Sequence, residues 1–313
     1  MEISEVKKMV RGPLAPVLTV YKEDDLSVDP DAIQENVDQL IRRGMGKGKG
    51  VLLAAGAGGD FPLLTYEERK AVIKAVADAA DGRAVVLGCA QSPSTAEAIQ
   101  LAQWSQEVGC YGIQLSGSWY YVPNEDQVYK HLKAVADSID ICVMLYHTPW
   151  LGYTMSLELF DRLWEDLDNV RSIKWATSGQ AQEINGYLEL AEKYAMVTNG
   201  PSKLRGALLG ASSYVTHLAN VWPEHELDFW DLVEAQDYGA VVKEFESVYW
   251  PWRSMRDWAG QVVGAGESFA IKPAAELTGF NGGVSRPPMT DLNQEQREHV
   301  RSVLETIGAP IVR

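Results

Sequence analysis

A closed (β/α)8 barrel, the TIM barrel, with a carboxy-terminal helical extension is the fold the sequence predicts. Three observations predict it. Eight strand-like apolar segments alternate with helix-like ones through residues 1–235, the alternation stops after Trp222-Pro223, and residues 236–313 read as helices alone. Strands separated by helices pair in parallel through right-handed crossovers, and eight such units point to closure. An open doubly wound sheet is the competing arrangement, but the G-x-G-x-x-G turn of a dinucleotide site is missing after the first strand. The expected division is therefore a catalytic barrel over 1–235 and a helical domain over 236–313.

The elements follow in order. After a short helical lead-in and Arg11-Gly12-Pro13, residues 14–21 read as strand one. Asp29-Pro30-Asp31 then opens a helix running to Arg43, with an Asp at the cap and Pro in the first turn. Strand two is 51–55, and Thr65-Tyr66-Glu67-Glu68 is a capping box that starts a helix reaching Ala80. Strands 84–89, 111–116 and 141–146 alternate with helices 94–107, 124–137 and one from Ser156. Strand 170–175, a helix from Gln180, strand 195–198, a helix from Ser202 and strand 213–217 complete the run. The tail reads as helices over 224–235, 238–257, 269–278 and 293–307, punctuated by Gly264-Ala265-Gly266 and by 279–288. Trp222, Trp230, Trp250, Trp252 and Trp258 cluster there and read as core or subunit-interface packing rather than a ligand platform.

Composition narrows the function. The chain is 46% hydrophobic and 23% charged, an ordinary globular balance. A net charge of −15 argues against a nucleic-acid partner and against an anionic membrane surface. The amino terminus lacks a basic and apolar leader, and no apolar run approaches the roughly 18 residues that span a bilayer, so a cytoplasmic protein is expected. Cys89, Cys110 and Cys142 are scattered in strand-like segments and read as reduced core residues. The five histidines (His131, His147, His217, His225 and His299) show no metal-ligand spacing, and no G-x-S-x-G elbow occurs. Neither metal nor other cofactor is expected.

One strand carries chemistry. In Val170-Arg171-Ser172-Ile173-Lys174-Trp175-Ala176-Thr177, the two-residue alternation puts Lys174 on a face with Val170, Ser172 and Ala176, opposite Arg171, Ile173 and Trp175. A lysine among small neighbours inside a closed sheet is desolvated, which disfavours the ammonium and frees an amine to attack a carbonyl. A strand-end lysine reaching solvent is the bland alternative. Functional groups of such barrels lie where strands end. Strand two ends in Gly56-Ala57-Gly58-Gly59-Asp60-Phe61, whose backbone N–H groups suit a carboxylate or phosphate. Strand five ends in Tyr146-His147-Thr148-Pro149-Trp150. Tyr146 shares a face with Cys142 and Met144, so it is either a proton shuttle beside the amine or a structural tyrosine.

At these residues the chain resembles the dihydrodipicolinate synthase/N-acetylneuraminate lyase family. Tyr146-His147-Thr148-Pro149 is similar to its Y-N-x-P motif, and Ile173-Lys174-Trp175-Ala176-Thr177 to its I-K-E/D-A-T strand. Residues 56–60 stand against its G-T-T-G-E loop, and Trp119-Tyr120-Tyr121 with Tyr129-Lys130-His131 against its P-Y-Y…Y-x-H-F. Leu218-Ala219-Asn220-Val221 and Arg286-Pro287-Pro288-Met289 extend the likeness, which covers 12–307. The resemblance implies that Lys174 forms a Schiff base with a 2-oxo acid and that Tyr146 handles protons. It implies that Tyr120 reaches a neighbouring subunit's site in a homodimer or homotetramer. Gly56, Ala57, Gly58, Gly59, His147 and Val215 complete the expected substrate-binding set, His147 being either a second polar contact or a structural histidine.

The departures set the substrate. Ala57-Gly58 replaces the hydroxyl pair of the loop, Asp60 replaces its Glu, and the arginine after Y-N-x-P is matched by Leu151 or its neighbours. The lysine-biosynthetic synthase reaction is therefore disfavoured. Residues 54–61 and 279–286 look more like the 5-dehydro-4-deoxyglucarate dehydratase branch, which implies a 2-keto-3-deoxy sugar acid. Two alternatives remain: a non-catalytic member that binds a small acid, and a lysine aldolase whose carbonyl substrate lacks the 2-carboxylate.

Overall fold

Eight parallel strands close on themselves in chain order. They are β1 (Gly12–Pro16), β2 (Val51–Ala54), β3 (Val85–Cys89), β4 (Gly112–Leu115), β5 (Cys142–His147), β6 (Val170–Trp175), β7 (Ala195–Thr198) and β8 (Ser213–Val215). The computed structural model describes residues 1–148, 151, 153–176, 186–199, 202–264 and 266–312. Every strand residue is buried, as parallel strands covered on both faces must be. The predicted (β/α)8 barrel with carboxy-terminal helices is the observed architecture.

Helix α1 (Ile3–Met9) leads in, and α2 (Pro30–Arg42), α3 (Tyr66–Ala80), α4 (Thr95–Glu107), α5 (Glu125–Ala136), α6 (Leu157–Asp166), α7 (Tyr187–Lys193) and α8 (Lys203–Leu208) follow the first seven strands. Their starts are written in side chains. Asp29 accepts from the Ala32 N–H, and Thr65 with Glu68 and Asn124 with Gln127 close full capping boxes. The tail holds α9 (Pro223–Glu234), α10 (Tyr238–Glu244), α11 (Trp250–Val263), α12 (Ile271–Leu277) and α13 (Gln294–Thr306).

Two elements differ from expectation. Strand one stops at Pro16 rather than residue 21, and Tyr21 instead bridges Val28 in an antiparallel step. Pro13 and Pro16 offer no N–H to a neighbouring strand, which limits how far that ladder runs. The helix expected over 238–257 is broken by a π-helical turn at Phe245–Tyr249. Pro251 lies just beyond it. A proline ring clashes with the carbonyl four residues back, and a locally widened turn relieves the clash. Gln180, the expected start of the helix after β6, lies outside the described residues, as do Pro149, Trp150 and Thr177; α7 is described from Tyr187.

The chain divides into two compact units. The first comprises Met1–Leu14, Lys47–Leu53 and Ala84–Val215, and so holds β3 to β8 with α4 to α8. Leu115, Val143, Leu145, Ile173 and Val197 of its strands are all fully buried. The second comprises Ala15–Gly46, Ala54–Arg83 and Thr216–Arg313. There α2 packs on α3 and α12 on α13, burying Ile33, Val37, Leu40, Val72, Ile73 and Val300. Among the described residues no helix is long and apolar enough to cross a membrane.

Candidate active site

Lys174 sits in the middle of the first unit, 5% exposed. Its Nζ donates to Gln114 Oε1 at 3.2 Å and lies 4.1 Å from the centroid of the Tyr146 ring. The pairing comes from strand register: Tyr146 on β5 stands opposite Lys174 on β6, and His147 opposite Trp175. That register depends on a slip. Val143 pairs with Val170, but Met144 pairs with Ser172, so Arg171 has no opposite number. The Arg171 side chain turns away, donates to the carbonyls of Leu167 and Val170, and stacks 4.0 Å from the Trp164 ring on α6.

Behind the amine lies a chain of neutral polar groups. Gln114 Nε2 donates to Gln91 Oε1, and Gln91 Nε2 donates to Ser116 Oγ at 3.1 Å. Cys89 Sγ also donates to Gln91 Oε1, at 3.4 Å. Because the Gln114 amide nitrogen is spent on Gln91, its oxygen is left to face Lys174. Sequence reasoning missed Gln114 and Gln91. The one signal for them was a polar residue inside an otherwise apolar strand segment, Gly112-Ile113-Gln114-Leu115, and another directly after Gly88-Cys89-Ala90.

Tyr146 lines a cleft with Ser116, Ser118, Thr148, Leu151 and Tyr153. Tyr153 is committed elsewhere: its hydroxyl donates to Glu125 at 2.6 Å. Burial, and then that bond, push it up to about 12. Leu151, Val128 and Met155 add apolar side chains to this lining.

The other expected residues are distributed as follows. His147 points to the outer side of β5, 4.4 Å from the Trp175 ring and 5.5 Å from Phe160, so it is not brought to the face that carries Tyr146. Val215 ends β8, paired with Leu14 of β1, and is buried. Tyr120 is 87% exposed, at φ +84°, with its ring edge-on to Tyr121.

In the second unit, Ala57–Gly59 forms a 3-10 turn capped by Asp60 at φ +59°. The turn's own bonds use the N–H groups of Gly59, Asp60 and Phe61. Gly59 has no room for a side chain, since a Cβ would come 2.5 Å from the Val17 carbonyl oxygen. Asp60 anchors the turn. Its carboxylate accepts from Ser268 Oγ at 2.6 Å and faces the Lys272 ammonium at 3.5 Å. Lys272 is 1% exposed, donates to the Val284 carbonyl at 2.8 Å, and lies 4.3 Å from the Tyr21 ring centroid. Burial pushes Asp60 up and Lys272 down, and the opposite charge of each partner works against that. Among the described residues no group of three or more His, Cys, Asp or Glu side chains could hold a metal ion.

Comparison with known proteins adds a relationship. A family model described as the dihydrodipicolinate synthetase family matches residues 9–307. The chain is 26% identical over 301 residues to the 4-hydroxy-tetrahydrodipicolinate synthase of Methanocaldococcus jannaschii, covering 96% of this chain and 99% of that one. It is 30% identical over 302 residues to the protein of the same name from Archaeoglobus fulgidus, with the same coverage. Among solved structures, YagE, a prophage protein of the dihydrodipicolinic acid synthase family from E. coli K12 in complex with pyruvate, superposes with a TM-score of 0.84. It shares 23% identity over 96% of this chain and 99% of that chain, which speaks for the fold alone.

Proposed function

Because the chain belongs to the dihydrodipicolinate synthetase family and is a lysine Schiff-base lyase, we propose that Lys174 condenses with a 2-oxo acid, and that this acid is a 2-keto-3-deoxy sugar acid such as 5-dehydro-4-deoxyglucarate. The observation that carries the reading is the Lys174 amine, buried between a neutral amide oxygen and the Tyr146 ring. The nitrogen lone pair attacks the keto carbon, the oxygen takes a proton, and the carbinolamine loses water to leave an iminium. The iminium draws electrons from the adjacent carbon, whose proton then leaves to give the enamine. Collapse of the enamine expels a β-hydroxyl as water in dehydration; in aldol cleavage the iminium accepts the electrons of the breaking carbon–carbon bond instead. Tyr146 is the residue proposed to carry the protons.

Three features support the sugar-acid substrate over the reaction in the relatives' name. Ala57 and Gly58 carry no loop hydroxyl, Leu151 or its neighbours stand against the arginine of the resembled synthases, and the 279–286 segment looks more like the sugar-acid branch. Gly56, Ala57, Gly58 and Gly59 are proposed to hold the 2-carboxylate through the N–H groups of Ala57 and Gly58, which the turn itself does not use. Tyr120 is proposed to act in the site of a second copy, in a homodimer or homotetramer; its exposure in the single chain fits that role. A cytoplasmic location and a reaction without cofactor belong to the same reading.

The test is borohydride trapping with pyruvate and with a 2-keto-3-deoxy sugar acid, followed by peptide mass mapping and product analysis. An adduct on Lys174 with both, and turnover of the sugar acid, is expected. An unmodified Lys174 with every 2-oxo acid overturns the reading, and an adduct without turnover of any sugar acid favours a binding protein.

A further inference from the structure

The polar chain behind Lys174 has a direction, and one backbone carbonyl sets it. Ser116 Oγ lies 3.0 Å from the Gly117 carbonyl, which can only accept, so the hydroxyl proton is donated there. The Ser116 oxygen is left to accept, and Gln91 Nε2 donates to it at 3.1 Å. That turns Gln91 Oε1 toward Gln114, where it accepts from Nε2; Cys89 Sγ donates to the same oxygen at 3.4 Å. Gln114 Oε1 is thereby the end of the amide that meets Lys174 Nζ, at 3.2 Å. Turning either amide over would set donor against donor and acceptor against acceptor. Gln114, Gln91 and Ser116 are all buried, where a mispaired polar group is costly. All of these residues lie within the first unit, and Gln114 and Gln91 stand outside the motifs that carry the family resemblance.

We propose that Gln114 is a catalytic residue that accepts the N–H of the protonated Schiff base on Lys174, and that Gln91 and Ser116 are positioning residues that keep its amide oxygen turned to that nitrogen. The inference rests on the Schiff-base reading above. Lys174 Nζ is the atom that condenses, so the oxygen 3.2 Å from it touches a reacting atom. When the carbinolamine loses water, the iminium nitrogen carries one hydrogen. Loss of that proton leaves a neutral imine with a lone pair in its place. An acceptor oxygen binds the first through a charge-assisted bond and opposes the lone pair of the second, so it favours the iminium. The iminium is the form that draws electrons from the adjacent carbon and lets its proton leave. A carboxylate in the same place would also hold the free lysine as its ammonium, which cannot attack. The amide oxygen supports the charged intermediate without adding a charge of its own.

The experiment measures borohydride trapping on Lys174 at saturating pyruvate, from neutral to alkaline pH, in the full chain as wild type, Gln114→Leu and Ser116→Ala. Hydride reduces the iminium far faster than the neutral imine, so the alkaline fall in trapping reports where the Schiff base gives up its proton. Comparing the proteins at each pH cancels the reagent's own pH dependence. Gln114→Leu keeps most of the bulk and removes the acceptor. Its alkaline fall should come about one to two pH units lower than in the wild type, the range set by one hydrogen bond to a charged group. Ser116→Ala leaves Gln114 in place but removes the partner that orients Gln91, so its shift should have the same direction and be smaller. Thermal denaturation checks folding; should Gln114→Leu not fold, Ser116→Ala carries the comparison, and an unchanged profile there overturns the proposal. In a folded Gln114→Leu, a yield lowered by the same factor at every pH, or a profile matching the wild type, overturns the assignment while leaving the Schiff base intact. A shift in Gln114→Leu with none in Ser116→Ala upholds Gln114 and removes the positioning role. Absence of any adduct in the wild type overturns the underlying reading and this inference with it.

Discussion

Tyr146 and Lys174 face each other across β5 and β6 because one residue, Arg171, is looped out of the ladder between them. Without that step the partner of Tyr146 would be Ile173, a residue that packs toward the helices. The extra residue is stabilised from outside, by carbonyls at the end of α6 and by the Trp164 ring. The juxtaposition of phenol and amine is thus a property of the register, set some distance from the pair itself.

Tyr146→Phe keeps the ring under the amine and removes only the hydroxyl. The fold and the buried position of Lys174 should be retained, while turnover of a sugar acid should fall about 10²- to 10⁴-fold, the usual contribution of a positioned proton-transfer group. Single-turnover kinetics with the trapped adduct as readout separates the steps. A rate equal to wild type would remove Tyr146 from the proton path.

Gln114→Glu is close to isosteric but puts a carboxylate where Lys174 now meets a neutral oxygen at 3.2 Å. An opposite charge at that distance favours the ammonium, which is not nucleophilic. Adduct formation should slow at neutral pH and recover as pH is raised, a profile that the wild type is not expected to share to the same degree. Trapping yield measured against pH in the two proteins decides it, and superimposable profiles would show that the amide does not set the state of the amine.

Much of this was legible in the residues. The strand order, the caps at Asp29, Thr65 and Asn124, and the inward face of β6 all follow from periodicity and side-chain chemistry, and β7 coincides with the segment read at 195–198. What escaped was anything that depends on two segments at once. The slip at Arg171 exists only when β6 is laid beside β5 and so has no signature in one strand. Gln114 and Gln91 each look like an isolated polar residue, and only their pairing makes a buried network. His217 was set aside as a metal ligand because the histidines lack metal-ligand spacing, and its contact with Arg256, 39 residues further on in α11, leaves no mark in either segment. His147 was open to two readings, a second polar contact or a structural histidine, and its ring lies against Trp175 and Phe160, since adjacent strand residues face opposite sides.

Lys272→Met tests the buried pair beneath the glycine turn. Removing the ammonium leaves Asp60 desolvated with only Ser268 as the hydroxyl donor, and breaking a buried pair from one side costs about 3–5 kcal/mol. Urea denaturation should show a loss of that order, and adding Asp60→Asn should restore part of it, since the stranded charge is then gone. Additive losses in the double variant would show that the two groups are not coupled.

Acid stability turns on Glu68 and Arg286. The guanidinium donates to both carboxylate oxygens, at 2.7 and 2.9 Å, and these bonds hold the Glu68 carboxyl below its ordinary value of 4.5 although partial burial opposes them. The folded protein therefore binds this proton less readily than the unfolded chain. The resulting stability is fully present above the unfolded value and is lost as pH falls through the lower folded one, because there the unfolded chain takes up the proton first. Arg286 also ties the Leu26 and Leu63 carbonyls together, and Glu68 closes the capping box on the Thr65 N–H, so protonation loosens the start of α3 as well as the ion pair. Urea midpoints measured from about pH 6 down to about pH 3 should fall more steeply for the wild type than for Glu68→Gln, which starts lower and has no such proton to bind. Parallel curves for the two proteins would place the acid sensitivity at other carboxylates.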